Sequence, residues 1–304
     1  MQKPKVSVCM ITYGHEMFIR QAIEGVLMQQ CAFEVEFIIS NDCSPDGTDD
    51  VIKNTINAHP NGSWVNYIKH EKNLGMMPNF LHTLQKAQGK YIALCEGDDY
   101  WTDPLKLQKQ VDFLENNKEY VMCFHKVDIL KPNREIVDDF ITKVPENHET
   151  LETLARLGNY IHTPSVLFRN IIEEFPLEFE KSPIGDYFLY MMLAEHGKLK
   201  YLSEKMAIYR FGIGCYSKLN QQEVIKTVIS FQILFLSYTT NSILKNIFIK
   251  RIQENRDYFE FLIEAKSNQS VISKNIFSKA VHAVINKSLW KKTVVKISNF
   301  INHK

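Results

Sequence analysis

The chain lacks the cysteine patterns of a disulfide framework and of a zinc site. Among its 304 residues, six cysteines are scattered without a close pair or a metal-ligand spacing. Three of them fall inside short apolar runs, which is typical of reduced thiols in a protein core. We therefore expect reduced cysteines and a cytoplasmic location. The six are Cys9, Cys31, Cys43, Cys95, Cys123 and Cys215.

Long hydrophobic runs are also missing. The best candidate, residues 228–238, is well short of the roughly 20 residues that a membrane helix needs. The first apolar run begins at Val6, which leaves no room for the apolar core of a signal peptide. We therefore expect neither a signal peptide nor a membrane span.

Acidic residues are absent after Glu264, although eight lysines follow it. Because the whole chain carries a net charge of +1, this basic tail of +8 leaves −7 on the remainder. An acidic body argues against nucleic acid as its main partner. Apolar residues are interspersed among the lysines, so the tail predicts either a membrane-surface helix or a helix packed on the body with a solvated lysine face. The lysines are Lys266, Lys274, Lys279, Lys287, Lys291, Lys292, Lys296 and Lys304.

The part of the chain before this tail alternates between two patterns. Apolar, β-branched runs at residues 6–11, 34–40 and 64–69 and from Tyr91 are each followed by a helical pattern. This alternation predicts an α/β fold with a mostly parallel sheet flanked by helices. The pattern turns helical near residue 217, so we predict an α/β domain over residues 1–217 and a C-terminal helical appendage over residues 218–304.

No glycine-rich phosphate loop follows any of the predicted strands. Gly-x-Gly-x-x-Gly and Gly-Lys-Ser/Thr segments are both absent there, which excludes the usual dinucleotide and P-loop sites. Polar residues follow the strands instead, at Thr12 and Tyr13, at Asn41 and Asp42, and from Glu96. Ligands of parallel sheets bind outside the carboxyl ends of the strands, so these loops are expected to converge on one crevice.

The densest of these loops carries Glu96, Asp98 and Asp99 within four residues. Crowded carboxylates at the end of a buried strand repel one another, and a cation normally compensates them. An oxygen-only ligand set favours Mg²⁺ or Mn²⁺, and Mg²⁺ usually shares its shell with substrate phosphates. The alternative is a solvated acidic turn, and we assign Asp103, followed by Pro104, to capping the next helix.

Together these segments resemble the family 2 glycosyltransferases, which use nucleotide-sugars and have the GT-A fold. The matching segments are residues 6–13, 36–48, 73–75 with Asn79, and 89–99. The likeness is close over the first 115 residues and ends near residue 215. It implies inverting, metal-dependent transfer of a hexose-type sugar from a UDP-sugar to a glycan or lipid-linked acceptor. It also implies a role in cell-surface polysaccharide synthesis.

The resemblance assigns roles to individual residues of the donor side. Thr12, Tyr13, Asp42 and Asp98 match nucleotide-binding positions, with Asp42 on the base. Glu96, Asp98 and Asp99 match the metal motif, although Glu96 and Gly97 depart from its usual Asp-Ala-Asp-Asp form. Strand-end packing remains an alternative for Tyr13, and a turn-forming role remains one for Asp42.

On the acceptor side, Asp186 matches the catalytic base at the start of a helix, with an ordinary N-cap or first-turn acid as its alternative. Gly185 stands where a further acid is common. Trp101 matches the mouth of the acceptor site, with burial under the next helix as its alternative. Arg210 precedes a segment that can close over the diphosphate, or it forms a structural ion pair. For His162 a satisfied core histidine is the expected role.

Two other functions stay open from the sequence. A nucleotidyltransferase would use a similar α/β domain and acidic site, but it would need a basic, glycine-rich loop after the first strand. A catalytically silent module would bind nucleotide, membrane or partner enzymes without turnover.

Overall fold

Nine strands form one sheet within residues 3–214 and 216–267, the part of the chain that the computed structural model describes. Their spatial order is β3-β2-β1-β4-β8-β6-β9-β5, and β7 pairs with β6 outside this path. They are β1 (Val6–Thr12), β2 (Val35–Asn41), β3 (Val65–Lys69), β4 (Tyr91–Leu94), β5 (Tyr100–Trp101), β6 (Tyr120–Leu130), β7 (Ile136–Asp138), β8 (Leu167–Arg169) and β9 (Lys198–Arg210).

The first half of the sheet is parallel. Strands β3, β2, β1 and β4 run in the same direction, and their register pairs Thr12 with Asn41 and Cys9 with Leu94. The predicted runs are confirmed. The bounds of β1, β2 and β3 differ from the predicted ones by no more than one residue at either end. The three polar loops therefore leave the sheet at one edge, as the sequence predicts.

The second half of the sheet is mixed. Strand β8 is antiparallel to both β4 and β6, β9 is parallel to β6, and β5 is antiparallel to β9. This half contains the stretch between residues 118 and 183, which carries no motif in the sequence. Its pairing joins segments that are far apart in the chain, and local patterns do not encode such pairing.

Helices cover both faces of the sheet. One apolar cluster contains Val8 and Met10 of β1 with Ile23 and Leu107, and the other contains the alternate residue Cys9. The helices are α1 (Ile19–Leu27), α2 (Thr48–Ala58), α3 (Met76–Lys86), α4 (Lys106–Asn116), α5 (Leu151–Leu157), α6 (Leu177–Glu180), α7 (Gly185–Ala194), α8 (Gln221–Tyr238) and α9 (Ser242–Ser267). This confirms a sheet between two helical layers, with the core split over its two faces.

The C-terminal helices α8 and α9 pack on the α/β part of the chain. Phe231, Phe235 and Phe248 are fully buried, and Phe235 lies 5.0 Å from Phe188 of α7 between ring centroids. The appendage therefore shares a core with the sheet, while the domain boundary at residue 217 stays a prediction. Within the described residues, no helix has both the length and the apolar character needed to cross a bilayer. The basic tail beyond residue 267 lies outside those residues.

The helix after the acidic cluster begins later than the sequence predicts. Tyr100 and Trp101 form β5 against β9, so α4 starts at Lys106 rather than at Pro104. Asp103 nevertheless organises the turn, because its Oδ1 accepts the Leu105 N–H at 2.8 Å. Asp103 therefore caps a turn that precedes the helix, rather than the first turn of the helix itself.

The cysteines of the described residues are free thiols, as expected. Cys9, Cys95 and Cys123 are buried, and Cys31 and Cys43 are partly buried. Cys215 lies outside the described residues.

Candidate active site

Three carboxylates stand together where the chain leaves β4. Glu96, Asp98 and Asp99 each bring one oxygen to within 4.8 Å of the other two. A tight turn holds them, since the Asp99 N–H donates to the Glu96 carbonyl at 3.1 Å and the Gly97 N–H donates to the Ile11 carbonyl at 3.1 Å. Asp98 is 8% exposed and Asp99 only 2%. The sequence-predicted metal residues are therefore neighbours in space.

The charge of this cluster is poorly compensated within the protein. Burial and the charges of Asp98 and Asp186 raise the pKa of Glu96 to about 8. Burial, Asp98 and Glu96 hold the pKa of Asp99 well above its usual range. One oxygen of Asp99, Oδ2, is buried and has no hydrogen-bond partner in the described residues. This oxygen therefore lacks a hydrogen-bond donor, whereas the other oxygen of Asp99 has one.

These residues fit a divalent cation. The set is all oxygen, which suits Mg²⁺ or Mn²⁺ better than Zn²⁺. Oxygen atoms on opposite sides of Mg²⁺ are about 4 Å apart, because each bond is about 2.1 Å. A spread of up to 4.8 Å between Glu96, Asp98 and Asp99 would close slightly around such an ion. The unpartnered Oδ2 of Asp99 is one available ligand atom.

Arg210 lies behind the acidic turn, where it supports the turn from the protein side. It is 5% exposed, its Nη1 donates to the Asp98 carbonyl, and its own backbone N–H donates to Asp99 Oδ1 at 2.8 Å. The guanidinium also lies over the Tyr100 ring at 4.5 Å and over the Phe18 ring at 5.2 Å. Arg210 is thus built into the core beside the cluster through hydrogen bonds and ring contacts, and its predicted contact with the diphosphate stays a prediction.

Asp42 follows β2 and ties two loops together. Its Oδ1 accepts the Leu74 N–H at 2.7 Å and its Oδ2 accepts the Gly75 N–H at 2.9 Å. Gly75 has a φ of +93° and Cys43 a φ of +57°, so both neighbouring turns use the left-handed region. The turn-forming alternative for Asp42 is therefore present. Each carboxylate oxygen keeps a second lone pair, so base binding is compatible with these contacts.

The end of β1 brings a histidine that the sequence reading missed. Thr12 is 2% exposed and its Oγ1 is 3.1 Å from His15 Nδ1, while Tyr13 is 49% exposed. Burial lowers the pKa of His15, whereas the nearby Asp98 carboxylate acts in the opposite direction. A Cβ at Gly97 would lie 2.6 Å from Thr12 Oγ1 and 2.9 Å from His15 Nδ1. This contact explains why glycine replaces the alanine of the usual motif.

Asp186 stands in the first turn of α7, as the sequence predicts for a helix start. Its Oδ1 accepts the Tyr187 N–H at 2.7 Å, and its Oδ2 accepts from Asn159 at 3.0 Å and from Thr163 at 3.4 Å. Burial raises its pKa despite these hydrogen bonds. Its charge contributes to the raised pKa of Glu96, so the two carboxyl groups lie near each other.

The further acid that often precedes such a residue has no room here. A Cβ at Gly185 would lie 2.3 Å from the sulfur of Met77. Met77 belongs to α3 and is 6% exposed, so α3 and α7 meet closely at this point. The departure at residue 185 therefore follows from helix packing.

The segment after β9 lies over the acidic cluster. A Cβ at Gly214 would be 3.4 Å from Asp98 Oδ2, so the backbone there passes directly beside the carboxylate. Lys218 acts on the pKa of His15, lowering it, which places this exposed lysine on the same side of the site. No motif identified Lys218 from the sequence, because its proximity depends on how the segment folds back.

Trp101 and His162 both have structural contacts in the protein core. Trp101 is 2% exposed, its indole N–H donates to the Pro164 carbonyl at 2.8 Å, and Lys106 covers its ring at 4.0 Å. No face of the indole is left for a sugar. The structure therefore shows Trp101 buried, which was the alternative to stacking on an acceptor. His162 pairs with Asp139 at 3.0 Å, which is the satisfied histidine that was expected.

Solved structures with known ligands share this architecture. A TM-score of 0.65 relates the chain to the mannosyltransferase PcManGT from Pyrobaculum calidifontis in complex with GDP-Man and Mn²⁺, with 12% identity and coverage of 98% of this chain and 87% of that one. S. aureus TarS 1-349 in complex with UDP-GlcNAc gives a TM-score of 0.59, with 16% identity and coverage of 93% and 80%. At these identities the likeness shows the GT-A fold alone.

Sequence relatives carry the comparison further. The uncharacterized protein Rv1520 of Mycobacterium tuberculosis is 36% identical over 205 residues, which is 67% of this chain and 58% of the relative. The match thus spans little more than half of that relative's length. TuaG of Bacillus subtilis, which is named as a glycosyltransferase for teichuronic acid biosynthesis, is 33% identical over 112 residues, or 37% of this chain and 42% of that protein.

The match to a protein family covers the residues that build the acidic cluster. Residues 7–175 match the family described as Glycosyl transferase family 2, and this range is more than half of the chain. It includes β1, β2, β4 and the acidic turn, which are the elements that position the three carboxylates. The chain therefore belongs to glycosyl transferase family 2.

Proposed function

We propose that this protein is an inverting glycosyltransferase that moves a sugar from a UDP-sugar to a hydroxyl group of a glycan or lipid-linked acceptor. The observation that carries the proposal is the proximity of the three-carboxylate cluster to Asp186. Glu96, Asp98 and Asp99 stand on one side, and Asp186 stands close enough to raise the pKa of Glu96. A donor-holding cluster facing a single base is the arrangement that inverting transfer needs.

The donor side has groups for each part of a nucleotide diphosphate. Asp42 offers carboxylate lone pairs to the N3–H of uracil and would repel the bare N3 of cytosine. Thr12 and Tyr13 flank this position at the end of β1, and the exposed ring of Tyr13 is available to a base. His15 adds a polar group near Asp98, where the diphosphate would lie, and Lys218 lies near His15.

Glu96, Asp98 and Asp99 are proposed to hold Mn²⁺ or Mg²⁺. When bound, the cation would neutralise the charge that builds on the departing nucleoside diphosphate. Arg210 keeps the acidic turn in place through the Asp98 carbonyl and the Asp99 carboxylate. Such supporting contacts fix the orientation of ligand groups.

Asp186 is proposed as the general base. Its position is fixed by hydrogen bonds from Asn159, Thr163 and the Tyr187 N–H, so its carboxylate presents a defined edge to an incoming hydroxyl. Burial raises its pKa, which makes the ionised carboxylate a stronger proton acceptor. The proton would pass from the acceptor hydroxyl to Asp186 as that oxygen attacks the anomeric carbon from the side opposite the leaving group.

A cell-surface polysaccharide pathway is the proposed setting, supported by the likeness to TuaG, which is named for such a pathway. We place the activity in the cytoplasm. The basic tail supports a lipid-linked acceptor and contact with the inner face of the membrane, since anionic lipid contributes about 1 kcal/mol per nearby lysine.

The experiment that tests this function measures UDP release from UDP-GlcNAc, UDP-glucose and UDP-galactose, with Mn²⁺ or with EDTA, and with GDP-mannose as the donor control. The anomeric configuration of the released sugar is read by proton NMR. We expect UDP release from one UDP-sugar that depends on Mn²⁺ and gives the inverted anomer. Release from GDP-mannose alone would contradict the UDP assignment, and a retained anomer would contradict the role of Asp186.

A further inference from the structure

Three polar side chains, those of Ser40, His70 and Asn79, meet next to Asp42. Ser40 lies near the end of β2, His70 directly follows β3, and Asn79 belongs to the first turn of α3. Because β2 and β3 pair Ser40 with Ile68, and His70 comes two residues after Ile68, the side chains of Ser40 and His70 lie on the same face of the sheet. Ser40 is fully buried and Asn79 is 2% exposed. We call these three residues the His70 network.

The hydrogen bonds of the His70 network form a closed ring. The Nε2 of His70 is 3.0 Å from Ser40 Oγ and 3.0 Å from Asn79 Oδ1. The Ser40 hydroxyl donates to Asn79 Oδ1 at 2.6 Å, and the Asn79 amide donates back to the Ser40 carbonyl at 3.1 Å. Since Asn79 Oδ1 can only accept, the Nε2 of His70 carries a proton. A buried network with one set of donors and acceptors holds its members in one arrangement.

A second histidine holds the ring of His70 in place. His82 follows Asn79 by three residues on α3, and its ring meets that of His70 edge-on, with 4.9 Å between centroids and 71° between planes. Burial and the charges of His70 and Lys86 lower the pKa of His82, which favours its neutral form. This contact limits the rotation of the His70 ring, so Nε2 stays aimed at Ser40 and Asn79.

The His70 network joins the two ends of the loop over residues 70–75. At the start of this loop, the His70 N–H donates to the Asn41 carbonyl at 3.0 Å. At its end, the Asn79 N–H donates to the Gly75 carbonyl at 3.0 Å. These two ends belong to different elements, β3 and α3, and the bond between the His70 and Asn79 side chains sets the distance between them.

The same loop orients the carboxylate of Asp42. The Asp42 N–H donates to the Thr12 carbonyl at 3.0 Å, so β1 fixes its backbone. Its two carboxylate oxygens are held by the Leu74 and Gly75 N–H groups of the loop, at 2.7 and 2.9 Å. A shift of the loop therefore turns the carboxylate and redirects its remaining lone pairs. Because a hydrogen bond weakens steeply when it is misaligned, such a turn weakens any bond from a base to Asp42.

We propose that His70 is a positioning residue for the donor base: with Ser40 and Asn79 it fixes the loop that orients Asp42, and it thereby sets the preference for uracil over cytosine. His70 lies outside the segments that resemble the family. Supporting residues of this kind fix the orientation of the groups that touch a ligand. The inference rests on the proposed UDP-sugar donor, because it requires that Asp42 contacts the base.

The test measures the binding of UDP and CDP to the full chain by competition against labelled UDP in equilibrium dialysis with saturating Mn²⁺. The selectivity is the Kd of CDP divided by the Kd of UDP. His70→Phe keeps a ring beside His82 and removes the N–H donor, whereas His70→Gln restores an N–H donor of similar reach. His196→Phe, at an exposed histidine after α7, is the control. Circular dichroism melting shows whether each variant is folded.

We expect His70→Phe to reduce the selectivity at least fivefold, mainly through weaker UDP binding. His70→Gln and His196→Phe should stay within twofold of wild type. The Mn²⁺ concentration that gives half-maximal binding at saturating UDP should change by less than twofold in every variant, because the acidic turn is untouched. A purely structural role would lower the melting temperature of His70→Phe and leave the selectivity unchanged.

Two further variants test the route through Asp42. Ser40→Ala removes one donor to Asn79 from a small side chain, and we expect at least a threefold loss of selectivity; this variant decides in place of His70→Phe if the latter does not fold. In the Asp42→Asn chain, adding His70→Phe should change the selectivity by less than twofold, because the carboxylate through which His70 acts is already gone. A full fivefold effect in that background would overturn the inference.

Unchanged selectivity in folded His70→Phe, or a loss in His70→Gln as large as that in His70→Phe, also overturns the positioning role. The proposed UDP-sugar donor survives either result if the wild-type chain prefers UDP. A wild-type chain that binds UDP and CDP equally, or binds neither, overturns the donor assignment and the role of His70 together.

Discussion

The two acidic regions of the site are held in opposite ways. Glu96, Asp98 and Asp99 crowd into one turn at the end of the parallel half of the sheet, where their mutual repulsion and burial raise the pKa values of Glu96 and Asp99. Asp186 comes from the mixed half and stands alone, with three hydrogen bonds to its two oxygens. The first region is incomplete without a positive ligand, whereas the second is complete as it stands.

This difference indicates that the parallel and mixed halves of the sheet have different roles in the site. Strand ends of a parallel sheet converge without help from distant residues, so they can gather charge for a bound cation and a diphosphate. A base must instead be fixed singly, and Asn159 and Thr163 reach Asp186 from segments outside its own helix. Removing a group from each half in turn should therefore give different losses.

The largest effect is expected from replacing the acidic pair with Asp98→Asn and Asp99→Asn together. Without these ligands the cation cannot support the leaving group, so UDP release should fall by about 10³-fold or more, since a Lewis-acid cation supplies several kcal/mol. Equilibrium dialysis of labelled UDP with Mn²⁺ measures the binding loss. Asp138→Asn, at an exposed ion pair, is the control. Unchanged UDP binding in the double variant would remove the assigned metal role.

Asp186→Asn should separate chemistry from donor binding. The amide cannot take the acceptor proton, so kcat for transfer should fall by about 10²–10⁴-fold, the usual contribution of a general base. The affinity for UDP with Mn²⁺ should stay within about twofold, because Asp186 is proposed to act on the acceptor and is not among the proposed metal or nucleotide contacts. Asp112→Asn on the exposed face of α4 is the matched control. A large loss of UDP affinity would mean that the two halves are not separate.

Arg210→Met should weaken metal binding, because Arg210 supports the acidic turn. The substitution removes the donor to the Asp98 carbonyl while filling much of the same space against Tyr100 and Phe18. Loss of such a supporting contact typically costs about 10–100-fold in metal affinity, so the Mn²⁺ concentration needed for half-maximal UDP release should rise by that factor. Arg20→Met, at an exposed position of α1, should leave it unchanged. If Arg210→Met changed kcat alone, Arg210 would have to contact the substrate.

The smallest effect is expected from Lys106, the residue of α4 that covers Trp101 of β5. It is fully buried over the Trp101 ring, and burial lowers its pKa to about 7. The unfolded chain then binds more protons than the folded one between pH 7 and the ordinary lysine pKa of about 10.4, so stability rises with pH in that window. The gain is at most about 1.4 kcal/mol per pH unit.

Urea unfolding at pH 7.0 and pH 8.0 measures this gain as the difference between wild type and Lys106→Met, because the buried cysteines contribute an opposite pH dependence that is the same in both chains. Lys106→Met should be more stable at pH 7.0 and should flatten the pH dependence. The control Lys109→Met removes an exposed lysine, 40% of whose side chain is accessible. An equal pH dependence in wild type and Lys106→Met would show that Lys106 is charged in the folded state.

The sequence predicted the first half of the molecule because its signals are local. The β-branched runs locate β1 to β4 to within one residue, and the polar residues after them locate Thr12, Asp42 and the acidic turn. Asp186 was also found, since the start of an apolar helix is visible in the sequence. These features depend on neighbours within a few positions.

The remaining features depend on long-range packing. His15 comes near both Asp98 and Lys218 only after β1 and the segment following β9 meet, and the sequence separates His15 from Lys218 by most of the chain. Trp101 is buried because β5 pairs with β9, a pairing between segments about 100 residues apart. No periodicity or turn signal encodes such meetings.

The measurement that tests the central claim most directly is calorimetric titration of UDP into the purified chain, with and without Mn²⁺, alongside GDP and CDP. The account predicts tight binding of UDP only when Mn²⁺ is present, with GDP and CDP much weaker, because the acidic turn lacks a cation and Asp42 selects the N3–H of uracil. UDP binding that is the same without metal, or no binding of any of the three nucleotides, would contradict it.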